Sequence, residues 1–396
     1  MKQYDSYKDS GVEWIGEVPS HWEVVPLKRA ITINNGCDYK HVQVEEDGYP
    51  VIGSGGQFAW ANQYMYDGEA VLLGRKGTID KPMYYNGKFW TVDTMFYGIP
   101  KKNANCKYLY YQAKNIPFER YATATALPSM TQTDLNNNTI CLPPLDEQIV
   151  IANYLDKKCS EIDNVISAQQ KRIALLQELK QSVITHAVTK GLNPNVEMKD
   201  SGVEWIGEVP KHWEIKKLKW LFWNLDKLRE PISAEKRERE NPQYDYYGAS
   251  GIIDKIDFYN VEDKVLLIGE DGANLVFRNL PLIYKAEGKF WVNNHAHILK
   301  PRNHVDYEYM YYTLEAGDYS TFITGSAQPK LSQSNLEMQV LPVPPYEEQL
   351  EIGKQLDKTC ASIDSSISKA QHQVELLQEY KQSLITEVVT GKRKVS

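Results

Sequence analysis

The sequence lacks a long apolar run. Its 396 residues contain no hydrophobic stretch that approaches the roughly 20 residues needed to cross a bilayer. The first residues, Met1-Lys2-Gln3-Tyr4-Asp5, do not form the apolar stretch of a signal peptide. We therefore expect a cytoplasmic protein with no membrane association.

Cysteine and positive net charge are also scarce. The five cysteines form no C-x-x-C pair and are odd in number, which argues against a disulfide framework or a zinc site. They are expected to be buried, reduced thiols. The net charge of −7 excludes a strongly basic chain, although a local basic patch is enough to bind DNA.

Signatures of methyl transfer are missing as well. Val343-Pro344-Pro345-Tyr346 is similar to the P-P-[YFW] element of amino-methyltransferases, but valine stands where a polar residue must hold the amino group. The related Leu142-Pro143-Pro144-Leu145 lacks the polar and the aromatic residue, and no glycine-rich cofactor loop follows a strand upstream. The prolines instead predict the start of a helix whose first turn is acidic.

Nuclease and metal-site patterns are weak. Glu262-Asp263-Lys264 has E-x-K spacing, but the equivalent Asp67-Gly68-Glu69 contains no lysine. His295 and His297 alternate along an expected strand without a cysteine or aspartate framework. We therefore predict no catalytic residue, no metal and no cofactor in this chain.

The chain does carry a strong internal repeat. Two motifs occur twice, each as an opening element and a closing element, and the segments between them diverge. The opening motif is Tyr7–Pro19 followed by His21-Trp22, repeated as Met198–Pro210 followed by His212-Trp213; the closing motif is Leu142–Gln148, repeated as Val343–Gln349.

Each divergent segment reads as one domain. The offset between the copies grows from 191 residues at Trp14 and Trp205 to 201 residues at the closing motifs, so the second segment is ten residues longer. Short apolar and aromatic runs bounded by glycine and asparagine predict strands with tight turns. Helices are expected within Asn103–Ile116 and His304–Leu314. Each segment is thus a mixed α/β domain.

A long periodic helix is predicted after each closing motif. Apolar residues recur in alternating steps of four and three, which average 3.5 residues and are typical of a coiled-coil seam. Each helix runs for about 44 residues, or roughly 65 Å. The predicted helix-pairing residues are Leu155, Ile162, Ile166, Ile173 and Leu176 in the first helix, and Leu356, Ile363, Ile367, Val374 and Leu377 in the second.

The predicted fold class is α+β. Two mixed α/β domains are separated by a long antiparallel two-helix coiled coil, with a pseudo-two-fold internal repeat; the alternative is that each helix packs along its own domain. The expected boundaries are 1–141 for the first domain, 142–190 for the central helix, 191–342 for the second domain and 343–396 for the C-terminal helix.

These features together resemble the specificity (S) subunit of type I restriction-modification systems, the HsdS family. The likeness covers essentially the whole chain in the family's order, which is more specific than any single short motif. It rests on the openings at Asp9–Trp22 and Asp200–Trp213, the P-P-x-[DE]-E-Q elements at Pro143–Gln148 and Pro344–Gln349, and the helical runs at Leu176–Thr185 and Leu377–Thr386.

The resemblance implies a non-catalytic DNA-binding subunit. Each divergent segment would be a target-recognition domain that reads one half of an asymmetric, bipartite site in double-stranded DNA. The helices would set the spacing and dock two modification (methyltransferase) subunits, and through them restriction subunits. The partners would use S-adenosylmethionine for N6-adenine methylation, and ATP and Mg for restriction. The rival interpretation is a coiled-coil adaptor without a DNA-reading role.

Candidate DNA contacts lie in glycine-bounded turns and in a later polar loop. Arg75 would pair with guanine and Gln132 with adenine, while the equivalent acidic turn Glu270-Asp271 would accept from cytosine. Exposed turn charges or helix caps are the alternative for each. The full set of candidates is Arg75, Lys76, Thr78, Lys81, Thr125, Ser129 and Gln132 in the first domain, and Arg278, Ser326, Gln328, Lys330 and Gln333 in the second.

Overall fold

A computed structural model describes residues 3–120, 128–233 and 242–395. The chain forms two compact units. Unit 1 comprises residues 1–170 and 372–396, and unit 2 comprises residues 171–371, so each long helix contributes residues to both units. Within the described ranges, no helix combines the length and the apolar character that a membrane crossing requires.

Unit 1 is built on a mixed seven-stranded sheet with the order β4-β10-β8-β9-β6-β7-β5, in which only the β6–β9 pair is parallel. Two further strand pairs, β1 with β2 and β3 with β11, lie outside it. The strands are β1 Tyr7–Asp9, β2 Glu17–Pro19, β3 Glu23–Pro26, β4 Ile31–Asn35, β5 Gln43–Val44, β6 Tyr49–Gly53, β7 Gly56–Ala61, β8 Tyr66–Gly74, β9 Met83–Thr91, β10 Met95–Pro100 and β11 Thr139–Leu142, and the helices are α1 Cys106–Ala113, α2 Gln132–Asn137 and α3 Leu145–Lys190.

Unit 2 repeats the plan with a six-stranded sheet of order β15-β20-β18-β19-β16-β17, where β16 and β19 are parallel. The pairs β12–β13, β14–β23 and β21–β22 lie outside it. The strands are β12 Met198–Asp200, β13 Glu208–Pro210, β14 Glu214–Lys217, β15 Phe222–Asn224, β16 Tyr244–Gly248, β17 Gly251–Ile256, β18 Val261–Gly269, β19 Ile283–Val292, β20 Ala296–Pro301, β21 Ile323–Thr324, β22 Lys330–Leu331 and β23 Val340–Val343, and the helices are α4 Asn274–Phe277, α5 Tyr307–Ala316, α6 Gln333–Met338 and α7 Tyr346–Val389.

The central strands explain the local pattern. In β8 and in β18 the last five residues are all buried, because the sheet is covered on both faces there. The helices α1 and α5 fall where the sequence predicts them, and each begins at a side-chain cap, Asn105 or Asp306. This mixed α/β architecture with two long helices confirms the predicted fold class.

The long helices pack along their predicted seam within each unit. In unit 1, Leu155 and Ile162 of α3 share a buried cluster with Leu384 and Val388 of α7. Lys381 binds Asp163 there at 2.6 Å. In unit 2, Leu356 and Cys360 of α7 share a cluster with Ile184 and Val188 of α3, and Lys180 binds Asp364 at 2.7 Å. Within each unit, the helix segments are therefore antiparallel.

Burial is graded along that seam. Leu155, Ile162, Leu356 and Ile363 are buried, whereas Ile166, Ile173, Leu176, Ile367, Val374 and Leu377 are half-buried. Four cysteines are buried as expected, but Cys37 is exposed, so the prediction fails for that thiol. It lies two residues after β4, which is an edge strand of the sheet.

In each unit the opening motif binds the closing motif. Glu147 of the closing motif accepts hydrogen bonds from Trp22 at 3.2 Å and from Tyr4 at 2.5 Å, and lies 2.9 Å from His21 Nε2. Gln148 donates to the Pro143 and Asn103 carbonyls. We call this set the unit 1 clasp.

Unit 2 carries the equivalent clasp. Glu348 accepts from Trp213 Nε1 at 3.1 Å and lies 2.8 Å from His212 Nε2. Gln349 accepts from Asp306 N at 2.8 Å. In both units the opening and closing motifs are more than 120 residues apart in sequence and are joined by these hydrogen bonds. This shared contact explains why both motifs recur.

Candidate nucleic-acid interface

The predicted turn of unit 1 follows the central strand β8. Its backbone is held at both ends: Arg75 N donates to Thr94 O at 2.8 Å, and Gly77 N donates to Pro128 O at 2.9 Å. Met130 N donates to Arg75 O at 3.0 Å. The turn and the later polar segment are therefore brought together although they are more than 50 residues apart in sequence.

A surface cavity of about 310 Å³ opens between these two segments. Arg75 is exposed beside it, with its guanidinium 5.9 Å from the Phe96 ring and bonded to Asp93 O at 3.3 Å. The cavity thus gathers four of the predicted contact residues. Its lining is Asn35, Arg75, Lys76, Phe96, Ser129, Met130, Thr131 and Gln132.

The remaining predictions in unit 1 lie apart or are occupied. Thr78 is half-buried and Lys81 is exposed on the segment that leads to β9. Gln132 donates one amide hydrogen to Ile33 O at 2.7 Å, which uses one of the two donors of its side-chain amide. Thr125 lies outside the described residues.

The turn of unit 2 has the same backbone connections. Glu270 N donates to His295 O at 2.8 Å, Leu331 N donates to Glu270 O at 2.8 Å, and Gly272 N donates to Pro329 O at 3.0 Å. Glu270 therefore occupies the place that Arg75 holds in unit 1.

A charged network fills the space behind this second turn. Glu270 binds Arg229 and, at 2.9 Å, Lys330. His297 is fully buried, with Nδ1 2.6 Å from Asp226 and Nε2 2.8 Å from Leu331 O. Both of its ring nitrogens thus face acceptor oxygens. Arg229 also lies 3.3 Å from Asp226, which closes the network.

This network changes one expectation. Both Glu270 oxygens are bound by cationic side chains, and only 11% of its side chain is exposed, so it is not available to accept from cytosine. The sequence could not reveal this, because its partners lie 41 and 60 residues away. Lys330 Nζ is half-exposed and remains on the surface beside the turn.

The network lowers the pKa of two carboxyl groups. Burial alone would raise the pKa of Asp226, but the hydrogen bond from His297 and its charge bring it below the ordinary 3.8. Burial would also raise the pKa of Glu270, and Lys330 and Arg229 bring it below 4.5. A carboxyl group whose pKa is lowered in the folded state stabilises the fold at pH values above its unfolded-state pKa. That contribution is lost as the pH falls through the folded-state pKa.

Unit 2 is therefore expected to lose stability in acid. Between pH 6 and pH 3 the melting temperature of the protein should fall as Asp226 and Glu270 are protonated. In Asp226→Asn the protein should be less stable at pH 6 and its pH profile flatter, because one linked carboxyl is absent. Calorimetric melting of both proteins across this range is the measurement. Parallel profiles would contradict the assignment.

The other candidates of unit 2 occupy its surface. Ser326 and Gln328 are exposed in the loop between β21 and β22, and Gln333 starts α6 with its amide bonded to Glu337 at 2.9 Å. Arg278 donates to the Gly317 and Glu315 carbonyls and lies over the Tyr319 ring. Its guanidinium thus has an internal structural role.

The chain is similar to known proteins over most of its length. A family model described as the type I restriction modification DNA specificity domain matches residues 19–175 and 210–376. The chain belongs to this family. Each match starts at the end of β2 or β13, contains one turn with its loop, and ends within a long helix.

Two curated specificity subunits agree with this membership, and one solved structure shares the fold. The MjaVIII subunit of Methanocaldococcus jannaschii is 25% identical over 82% of this chain and 76% of its own. The EcoDI subunit of Escherichia coli is 19% identical over 95% and 89%. A solved chain, from work on complex assembly and conformational transition of the type I R-M system, superposes with a TM-score of 0.70 at 13% identity, covering 94% of this chain and 98% of that chain.

Membership in the specificity family decides the class of function. The chain is a specificity subunit of a type I restriction-modification system, the catalytic activities belong to partner subunits, and the adaptor interpretation is not favoured. In the described ranges, no group of three or more His, Cys, Asp or Glu side chains is arranged to hold a metal ion.

Proposed function

We propose that each unit of this specificity subunit reads one half of an asymmetric, bipartite DNA site. The observation that carries the proposal is the paired turn: one backbone frame presents Arg75 and Lys76 in unit 1, and a neutralised carboxylate with Lys330 in unit 2. Equal frames with unequal side chains suit two half-sites of different sequence. The four predicted residues at the unit 1 cavity are its base-reading candidates.

Unit 1 offers mostly hydrogen-bond donors at this place. Arg75 is exposed and its guanidinium can approach the O6 and N7 acceptors of guanine, which is the commonest base-specific contact. Lys76 beside it supplies a point charge for phosphate. In unit 2, Lys330 with the exposed Ser326 and Gln328 offers a polar loop. The two half-sites are therefore read by different chemistry.

Mapping of N6-methyladenine across the genome tests this proposal. Cells with the gene should methylate adenine in both halves of one split motif, and cells without it should lose that motif alone. Deletion with no motif lost would overturn the proposal. A contiguous motif, in place of a split one, would overturn the assignment of one half-site to each unit.

The long helices are proposed to set the distance between half-sites. Removing one heptad from each helix at equivalent positions keeps the 3.5-residue seam in register and shortens each by about 10 Å. The spacer should shrink by about three base pairs, at about 3.4 Å each, with the half-site sequences unchanged. Methylome mapping of the variant measures both, and an unchanged spacer would refute the proposed role of the helices.

The same helices offer surfaces for two modification subunits. Exposed apolar side chains recur on them at equivalent positions, 201 residues apart, although nothing in the fold requires them to be exposed. Equivalent patches suit two copies of one partner. In unit 1 these are Leu145, Ile149, Leu376 and Tyr380, and in unit 2 they are Tyr346, Leu350, Leu175 and Leu179. The partners would supply S-adenosylmethionine chemistry, and restriction subunits would add ATP and Mg.

Charge substitution at these patches should release partners without unfolding the chain. Leu376→Glu is expected to remove one modification subunit, and Leu175→Glu combined with Leu376→Glu is expected to remove both. Neither change should unfold the chain, because Leu376 is 49% exposed and Leu175 is 55% exposed. Size-exclusion chromatography of the co-expressed subunits measures how many modification subunits remain bound to each specificity subunit. Val165→Glu is the matched control. Val165 is 46% exposed, but the equivalent position in the other repeat is Ser366, so Val165 is not one of the recurring exposed apolar side chains. Equal retention in all variants would contradict this docking site.

A further inference from the structure

A cationic surface with two tryptophans lies on the edge of the unit 2 sheet. The short helix Leu218–Trp220 and the edge strand β15 place Trp220 60% and Trp223 53% exposed. Leu218, Leu221 and Phe222 anchor the segment in the core. Exposing two tryptophans from an anchored segment is costly, and such patches mark sites of interaction.

Cations are held against these rings. The Arg302 guanidinium lies 3.6 Å from the centre of the Trp223 ring and donates to the Lys219 carbonyl at 3.3 Å. Lys219 Nζ lies 5.4 Å from the Trp220 ring. Within the described part of the chain, no carboxylate lies within 4.0 Å of Lys217, Lys219 or Arg302. The chain as a whole is acidic, so this unneutralised charge is local.

The internal repeat allows the side chains of this edge to be compared with those at the equivalent positions of unit 1. In unit 1 the positions equivalent to Lys217, Lys219, Trp220, Trp223 and Arg302 carry Pro26, Lys28, Arg29, Thr32 and Lys101. Lys101 Nζ donates to Lys28 O at 2.7 Å, just as Arg302 binds the Lys219 carbonyl. The cations at Lys219 and Arg302 recur where the tryptophans do not, although the surrounding sequences diverge, whereas Lys217 is replaced by Pro26. The shared requirement is therefore for an anion.

We propose that this edge, Lys217–Trp220 with Trp223 and Arg302, binds the DNA phosphate backbone that flanks the half-site read by unit 2. The proposal rests on the DNA-reading function above. Phe222 pairs with Pro301 at one end of β20, and Gly269 of the recognition turn pairs with Ala296 at the other end, so the edge lies about 17 Å along the strand from the turn, or about five base pairs of one duplex. Lysine and arginine contact phosphates, and the indole faces pack on sugars and exposed bases.

Such contacts add affinity without sequence information. Each phosphate contact released in B-DNA contributes about 0.9 to the slope of log K against log salt concentration. Lys217→Ala with Lys219→Ala should therefore lower that slope by about 1.8. Trp220→Ala should weaken binding severalfold and leave the slope unchanged, because indole carries no charge.

The test uses the complex with its modification subunits and a duplex that carries the mapped motif. Fluorescence anisotropy between about 50 and 200 mM salt gives the slope for wild type, both variants and the control Lys211→Ala, an exposed lysine paired with Glu197. The methylated motif should stay the same in every variant. The proposal is supported if only the double lysine variant loses slope.

Two outcomes overturn it. One is a double variant whose slope equals that of wild type; the other is loss of the modification subunits from the complex, which would assign the edge to a protein partner. Both differ from failure of the proposed function, in which the wild-type complex itself has no split motif.

Discussion

Leu155→Asp is expected to destabilise unit 1 by about 4 kcal/mol or more. Leu155 is completely buried in the cluster that joins α3 to the end of α7. The substitution removes its apolar contacts and places a carboxylate inside an apolar cluster. Because a domain's free energy of unfolding is only about 5–15 kcal/mol, a loss of this size removes about a quarter or more of the stability of unit 1. Chemical denaturation measures the change.

The control is a substitution of the same kind on the same helix. Val165→Asp introduces the same charge at a side chain that is 46% exposed, and should change the free energy of unfolding by no more than about 0.5 kcal/mol. Ile166 and Ile367 are half-buried, so aspartate there should have an intermediate effect. If Leu155→Asp and Val165→Asp unfold at the same denaturant concentration, the seam does not stabilise unit 1.

Arg75→Ala should reduce discrimination at one base pair of the first half-site by about 1–3 kcal/mol, or roughly 5- to 150-fold. Arg75→Lys should lose nearly as much, although it keeps the charge, because lysine lacks the planar fork that binds two acceptors of one base. The measurement is the methylation rate of duplexes that carry each base at each position of both half-sites. Discrimination in the second half-site should be unaffected.

The two Arg75 variants also separate base reading from phosphate binding. A phosphate contact would be largely preserved in Arg75→Lys, with uniform weakening across sequences in Arg75→Ala. Lys88→Ala is the control, because Lys88 is exposed over the Tyr64 ring and lies away from the cavity. A preserved preference in both Arg75 variants would show that another residue reads the base.

The fold was predictable to the extent that it depends on local periodicity. The 3.5-residue seam predicts α3 and α7 almost to their ends, since Pro144 and Pro345 stop the preceding strands and Gly191 adopts a left-handed φ of 75° just after Lys190. The order of the sheet strands was not predictable. It depends on pairings such as β6 with β9, which join segments about 40 residues apart.

The candidate site was predictable in position more than in chemistry. Glycine-bounded frames identified the turns, and the structure brings Arg75 and Gln132 to one cavity. The state of each side chain depends on partners from other strands. Glu270 is bound by Arg229 and Lys330, and Gln132 by the Ile33 carbonyl, and no local pattern encodes these contacts.

The clasps bear on how new specificities arise. In unit 1, one carboxylate, Glu147, holds Trp22 just before the divergent segment and begins the helix just after it. In unit 2, Glu348 holds Trp213 in the same way. A foreign segment inserted between these two ends meets a carboxylate–indole contact that the flanking motifs supply, and Gln148 or Gln349 adds bonds to backbone groups of the segment itself. Genetic exchange of whole segments would thus replace the proposed half-site while the proposed docking surfaces of the helices are inherited unchanged.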